Sequence, residues 1–96
     1  MRADYDSSAN AISVVLEAGA HAEASDEVHP RAIVALRAGR PVEVQILYPD
    51  LGIAEPVAAV AARSEVDRQA IDAAAQSALA APDRVVSVEV PARSSA

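Results

Sequence analysis

Ninety-six residues without a single Phe or Trp must close an interior on aliphatic side chains alone. Besides histidine, the aromatic rings are Tyr5 and Tyr48. Val, Ile and Leu therefore carry the cohesion, each contributing roughly 1.5–3 kcal/mol when fully buried. The abundant Ala orders without side-chain entropy loss but covers little area. A chain this short buries only about two-thirds of its unfolded surface. One modest core is expected, so residues 1–96 read as a single domain, and self-association is a natural way to extend that core.

Where the aliphatic residues fall decides the elements. In the first half they recur with period two, the signature of half-buried strands. Ile12, Val14 and Leu16 alternate with Ser13 and Val15, after a turn at Asp6-Ser7-Ser8-Ala9-Asn10. A short strand at Ala3 to Tyr5 precedes that turn. Residues His21 to Pro30 alternate only weakly and are left open between strand and loop. Arg31 to Arg37 reads as a strand in which Ile33 and Val34 are too apolar to leave both faces wet. Val42 to Leu47 follows across a hairpin turned at Gly39, with Val42, Val44 and Ile46 on one face.

The second half changes character. Tyr48 to Gly52 reads as a loop leaving the sheet, and Pro56 suits the first turn of a helix. Val57 to Ala80 has high helix propensity throughout. One unbroken helix would be about 36 Å long at 1.5 Å per residue, so a break at Ser64 is expected. Ser64 then caps the second helix, and Asp67 takes the capping-box position. Val57, Val60, Val66, Ala70, Ile71, Ala74, Ala78 and Leu79 form a broad apolar side. Pro82-Asp83 stops the helix, Val85 to Val90 reads as a last strand, and 91–96 as a polar tail. The expected fold is α+β: an antiparallel meander of three to four strands, with the Ala-rich helical segment packed on one face. The late strand joins the sheet.

Fourteen acidic side chains against eight Arg, with no Lys, give a net charge of −6. Such a surface repels phosphate backbones and anionic lipid, so neither nucleic acid nor membrane is an expected partner. Arg-only, Ala-rich usage points to a GC-rich, bacterial coding bias. The absence of cysteine excludes disulfides, thiol catalysis and Cys-held metals. The opening residues lack a signal-peptide core and no apolar run reaches about 18 residues, so a cytoplasmic location is expected.

Few residues suggest chemistry. His21, Glu23, Asp26 and His29 place four potential metal ligands within nine residues, a donor set that suits zinc or manganese. The alternative is a solvated acidic loop carrying two ordinary histidines. A Ser-His-Asp set can be drawn from Ser7 or Ser25, His29 and Asp26, but no nucleophile elbow or Gly-rich oxyanion site accompanies it. Asp4, Asp6, Asp50 and Glu55 offer carboxylates for acid–base work, without the aromatic platforms that sugar chemistry favours. Turn formation for Asp4 and Asp6, and a helix N-terminus for Glu55, are the plainer roles. Gly19, Gly39 and Gly52 lie too far apart for a phosphate-binding loop. No cofactor is expected. Val57, Val60, Val66 and Ile71 on the helical stretch are either core or an interface, since Ala-rich faces let helices approach closely. The sheet edges offer strand addition as a second route.

Three stretches carry a family resemblance. Tyr5-Asp6-Ser7-Ser8-Ala9-Asn10-Ala11-Ile12-Ser13-Val14, Glu27-Val28-His29-Pro30 and Gly39-Arg40-Pro41-Val42-Glu43-Val44-Gln45-Ile46-Leu47 follow one another in order and spacing. In these the chain resembles the bacterial domain of unknown function 2283 over residues 3–53. Asn10, Glu43 and Gln45 depart from the family's usual Asp, Gly and Glu, and Arg31 stands where Gly is common. The resemblance implies a small β-meander and no established activity. By analogy with relatives that look like partners of small toxins, it also implies an antitoxin-like role. The residues themselves point to a non-enzymatic module that binds itself or another small protein. A metal-binding protein or metal-assisted hydrolase using His21 and His29 is the alternative.

Overall fold

A computed structural model describes residues 1–88. Within them the chain is α+β, a six-stranded antiparallel sheet with two helices. The strands are β1 (Arg2–Asp6), β2 (Ala11–Val15), β3 (Ala24–His29), β4 (Ala32–Arg37), β5 (Arg40–Leu47) and β6 (Val85–Ser87). The helices are α1 (Ala54–Arg63) and α2 (Arg68–Ala80), preceded by a single 3-10 turn at Pro49–Leu51.

Strand order is β3-β4-β5-β2-β1-β6. The strands expected from the alternation are present as β1, β2, β4 and β5, but β3 joins them, β2 lies beside β5 rather than β4, and the sheet has six strands instead of three to four. β5 pairs with β2 rather than standing at an edge, with Val14 opposite Val44 and Ile12 opposite Ile46. This is a Greek-key arrangement, closed by the connection from β2 to β3. Burial explains the order. Ile12, Val14, Val44 and Ile46 are fully buried and take the centre. The polar β3 and the three-residue β6 take the edges.

Period two is obeyed on one face. Ala3, Ile12, Val14, Ala32, Val34, Val42, Val44 and Ile46 point under the helices and are buried. α1 covers the β3–β5 side and α2 the β1, β2 and β6 side. Val57 and Val60 of α1, and Ile71, Ala74, Ala75 and Ala78 of α2, complete the core. On the face away from the helices Val15, Ile33, Ala35 and Leu47 are half-buried among Asp4, Ser13, Glu43 and Gln45.

The helical stretch breaks after Arg63, as expected, but the cap differs. Ser64 ends α1 in an extended conformation. Asp67 is the N-cap of α2, its carboxylate accepting from the amides of Gln69 and Ala70. A carboxylate caps as well as a hydroxyl does, and Asp67 stands at the position where α2 starts. The stretch left open between His21 and Pro30 contains β3. Its Ala, Ser, Asp and Glu are weak strand formers, and pairing with β4 is what extends them. The last strand covers Val85–Ser87 on the β1 edge, with the Val88 amide donating to the Met1 carbonyl. Val90 and the tail 91–96 lie outside the described residues. Among the described residues no helix is long and apolar enough to cross a membrane.

Candidate functional site

The four prospective metal ligands are not brought together. His21 lies in the loop before β3, where its carbonyl accepts from Arg37 Nη1 at 3.0 Å. The Glu23 carboxylate accepts from the Ala38 amide at 2.8 Å and so anchors the β4–β5 turn. Asp26 points to the helix side and pairs with Arg63 at 3.4 Å. His29 Nδ1 accepts from the Arg31 amide at 3.0 Å, and its Nε2 lies 3.9 Å from Glu55. Among the described residues no three His, Asp or Glu side chains form a group able to hold a metal ion. Spacing in sequence placed these donors within reach, but His21 and Glu23 lie in the loop before β3 while Asp26 and His29 are spread along it, each with a partner of its own.

The remaining candidates are dispersed for similar reasons. Ser7 belongs to the β1–β2 turn, where its amide and hydroxyl donate to Asp83 at 2.8 and 2.7 Å. Ser25 faces away from the helices while Asp26 faces them, so neither serine forms a relay with His29 and Asp26. Asp6 accepts from the Ser8 hydroxyl at 2.7 Å and from the Ser8 and Ala9 amides, closing an Asx turn. Asp50 accepts from Asn10 Nδ2 at 2.7 Å. Asp4 sits within β1 rather than in the turn, and Glu55 lies in the first turn of α1.

Three carboxylates are held below their ordinary pKa by these contacts. The Ser8 hydroxyl is the main cause for Asp6, and the Ser7 hydroxyl for Asp83. For Glu17 the cause is Arg40, which donates through Nε and Nη2 at 2.9 Å each and is raised in turn by Glu17. All three serve turns and a hairpin.

Val57, Val60 and Ile71 are buried against the sheet, and Val66 packs against the same core. An interface built on them would have to open the domain, so the helical stripe is core. Tertiary packing decided between two uses that the stripe itself left open.

What reaches the surface is elsewhere. Tyr48, Leu51 and Val85 are the large apolar side chains exposed among the described residues. Tyr48 and Leu51 lie one 3-10 turn apart, with the Leu51 amide donating to the Tyr48 carbonyl at 3.0 Å. In sequence both residues fall in Tyr48 to Gly52, a stretch that reads as no more than a loop leaving the sheet. The available signal was one of two tyrosines placed in a loop, where neither alternation nor helical period asks for an aromatic ring.

No family model, no curated protein and no solved structure matches this chain.

Proposed function

We propose that the protein is a non-enzymatic interaction module that works by binding another protein or a second copy of itself. The observation that carries this reading is the uneven treatment of apolar side chains. The domain buries Val57, Val60 and Ile71 of its helices and Ile12, Val14, Val34, Val42, Val44 and Ile46 of its inner sheet face, yet leaves Tyr48 and Leu51 more than half exposed on a hydrogen-bonded loop. Tyr is among the residues enriched where protein recognition concentrates its energy, and a hydrogen-bonded loop presents it with little further ordering. The commitment of Asp6, Glu17, Glu23, Asp26 and Asp83 to turns and ion pairs supports the same reading, because these groups already serve the scaffold.

Strand addition is the less favoured route at β3. It is an edge, but its register slips at a bulge between Glu27 and His29, and Asp26 and Glu27 put charge on it. Bulges and edge charges are devices that discourage pairing with another strand. The likeness of residues 3–53 to domain of unknown function 2283 belongs to this proposal too, and adds no activity to it.

Native mass spectrometry of the protein purified from its own cells tests the reading. A defined protein companion or a discrete homo-oligomer is the expected result. A lone monomer at every concentration would overturn it, as would a turnover abolished by changing one polar side chain.

A further inference from the structure

The two edges of the sheet differ. β3, on one side, is bulged between Glu27 and His29 and carries Asp26 and Glu27. β6, on the other, runs Val85-Val86-Ser87 without a charge and keeps a regular register with β1. Its backbone is paired on one side only. The Val88 amide donates to the Met1 carbonyl, so alternation along the antiparallel ladder turns the backbone groups of Val86 toward β1. The N–H and C=O groups of Val85 and Ser87 therefore point away from the sheet. Among the described residues nothing pairs with them.

The side chains here suit a strand of the same kind. Val85 is 68% exposed beside Asp4 of β1, and Val86 packs only partly against the core. A twofold axis at Val86 sets the strand antiparallel to its own copy, with Val85 opposite Ser87 and Val86 opposite Val86. Every opposed position is then uncharged. Val85 and Ser87 face each other as a hydrogen-bonded pair and exchange both backbone bonds, once on each side of the axis. Val86 gains a β-branched cross-strand partner. The bulge and charges of β3 close the other edge, so the assembly stops at two copies.

We propose that β6 is a homodimerisation edge, where a second copy of this chain adds its own β6 antiparallel and joins the two sheets into one. The proposal rests on the interaction-module reading and gives it a partner and a surface. The shortness of β6 limits the contact, so the dimer is weak and forms with rising concentration. Each copy carries a net charge of −6, so added salt tightens the dimer by screening that repulsion.

Hydrogen exchange followed by NMR on the isotope-labelled full chain, beside sedimentation velocity over the same concentrations, tests it. The amides of Val85 and Ser87 are expected to gain protection as the dimer forms, while that of Val86 stays protected throughout. Ser87→Pro removes an outward donor and leaves the ladder with β1 intact. Val85→Lys puts a charge on the edge and keeps the test sharp should the proline variant not fold. Each should weaken the dimer by about tenfold or more, with the circular dichroism of the monomer unchanged. Protection of Val85 and Ser87 that does not vary with concentration would overturn the proposal, as would assembly beyond two copies. A dimer indifferent to both substitutions would sink this edge and leave the module reading intact. A monomer at every concentration would overturn the proposal too, and the module reading falls with it only if no companion protein is found either.

Discussion

At Ala38 the backbone turns through φ 51°, and at Gly39 through φ 77°, so the β4–β5 hairpin closes on a two-residue turn with both central residues left-handed. That geometry matches the right-handed twist of the strands and favours Asn-Gly or Gly-Gly. Gly39 meets the demand, whereas the β-carbon of Ala38 does not. Ala38→Gly or Ala38→Asn is therefore expected to stabilise the domain by about 0.5–1 kcal/mol. The Glu23 carboxylate bonds the amide of residue 38 and would be kept in either variant. Urea unfolding of the variants beside the parent checks this; a lower midpoint would show that the turn is not under strain. The same left-handed region recurs at Asn10, a residue that tolerates it, and at Tyr48, which does not.

Elements are held by fit more than by bulk. α2 lies on β1 and β2 through Ala70, Ala74, Ala75 and Ala78, the last three fully buried. Small side chains let the helix axis sit close to the sheet, and Ile71 fills the remaining space. Two effects oppose each other for Ala75→Leu. Leucine is about as good a helix former and would bury more apolar area. A fully buried alanine, however, leaves no room for three more carbons, and overpacking costs about 1–3 kcal/mol. Steric conflict should win, so Ala75→Leu is expected to lower the thermal midpoint measured by circular dichroism. An unchanged or raised midpoint would show that α2 can shift outward freely. α1, by contrast, packs through the larger Val57 and Val60 over the other half of the sheet. The break at Ser64 to Asp67 lets each helix follow its own half of the twisted surface.

Across the whole molecule, the net charge of −6 and the placement of carboxylates set the response to acid. Asp83 holds Ser7 across the gap between the entry to β6 and the β1–β2 turn, and its folded pKa is lowered by that contact. A lowered folded pKa contributes stability above the unfolded value, near 3.9 for Asp, and the contribution is lost as pH falls through the folded value. Asp6 and Glu17 behave in the same sense. Asp83→Asn is therefore expected to be less stable than the parent at pH 7, with the gap beginning to narrow once pH falls below the unfolded value of about 3.9. Urea midpoints measured from pH 7 to pH 3 check this. A gap that stays constant through the acid range would mean that the carboxylate charge plays no part. Of the three, Glu17 alone is lowered by a charged partner, the exposed Arg40, so its contribution should shrink at high salt.

Local pattern determined much of this protein. The alternation at Ile12–Val14, Val42–Val44–Ile46 and Arg31–Arg37 specified strands. The Ala-rich run specified helix, the hairpin turned at Gly39, and the α+β class followed, because period and turn chemistry act between residues a few positions apart. Only the tertiary structure decided that β2 lies beside β5, some thirty residues on, and that the sheet has six strands. It extended the polar β3 by lending it the hydrogen bonds of β4, and it turned the apolar helix stripe into core. It also scattered His21, Glu23, Asp26 and His29 and gathered Asn10, Arg31 and Tyr48 at one end. The physical reason is common to all of these. Strand partners and side-chain clusters are chosen by burial and hydrogen bonding between segments distant in the chain. Those contacts exist only once the sheet and its two helices have closed on one another.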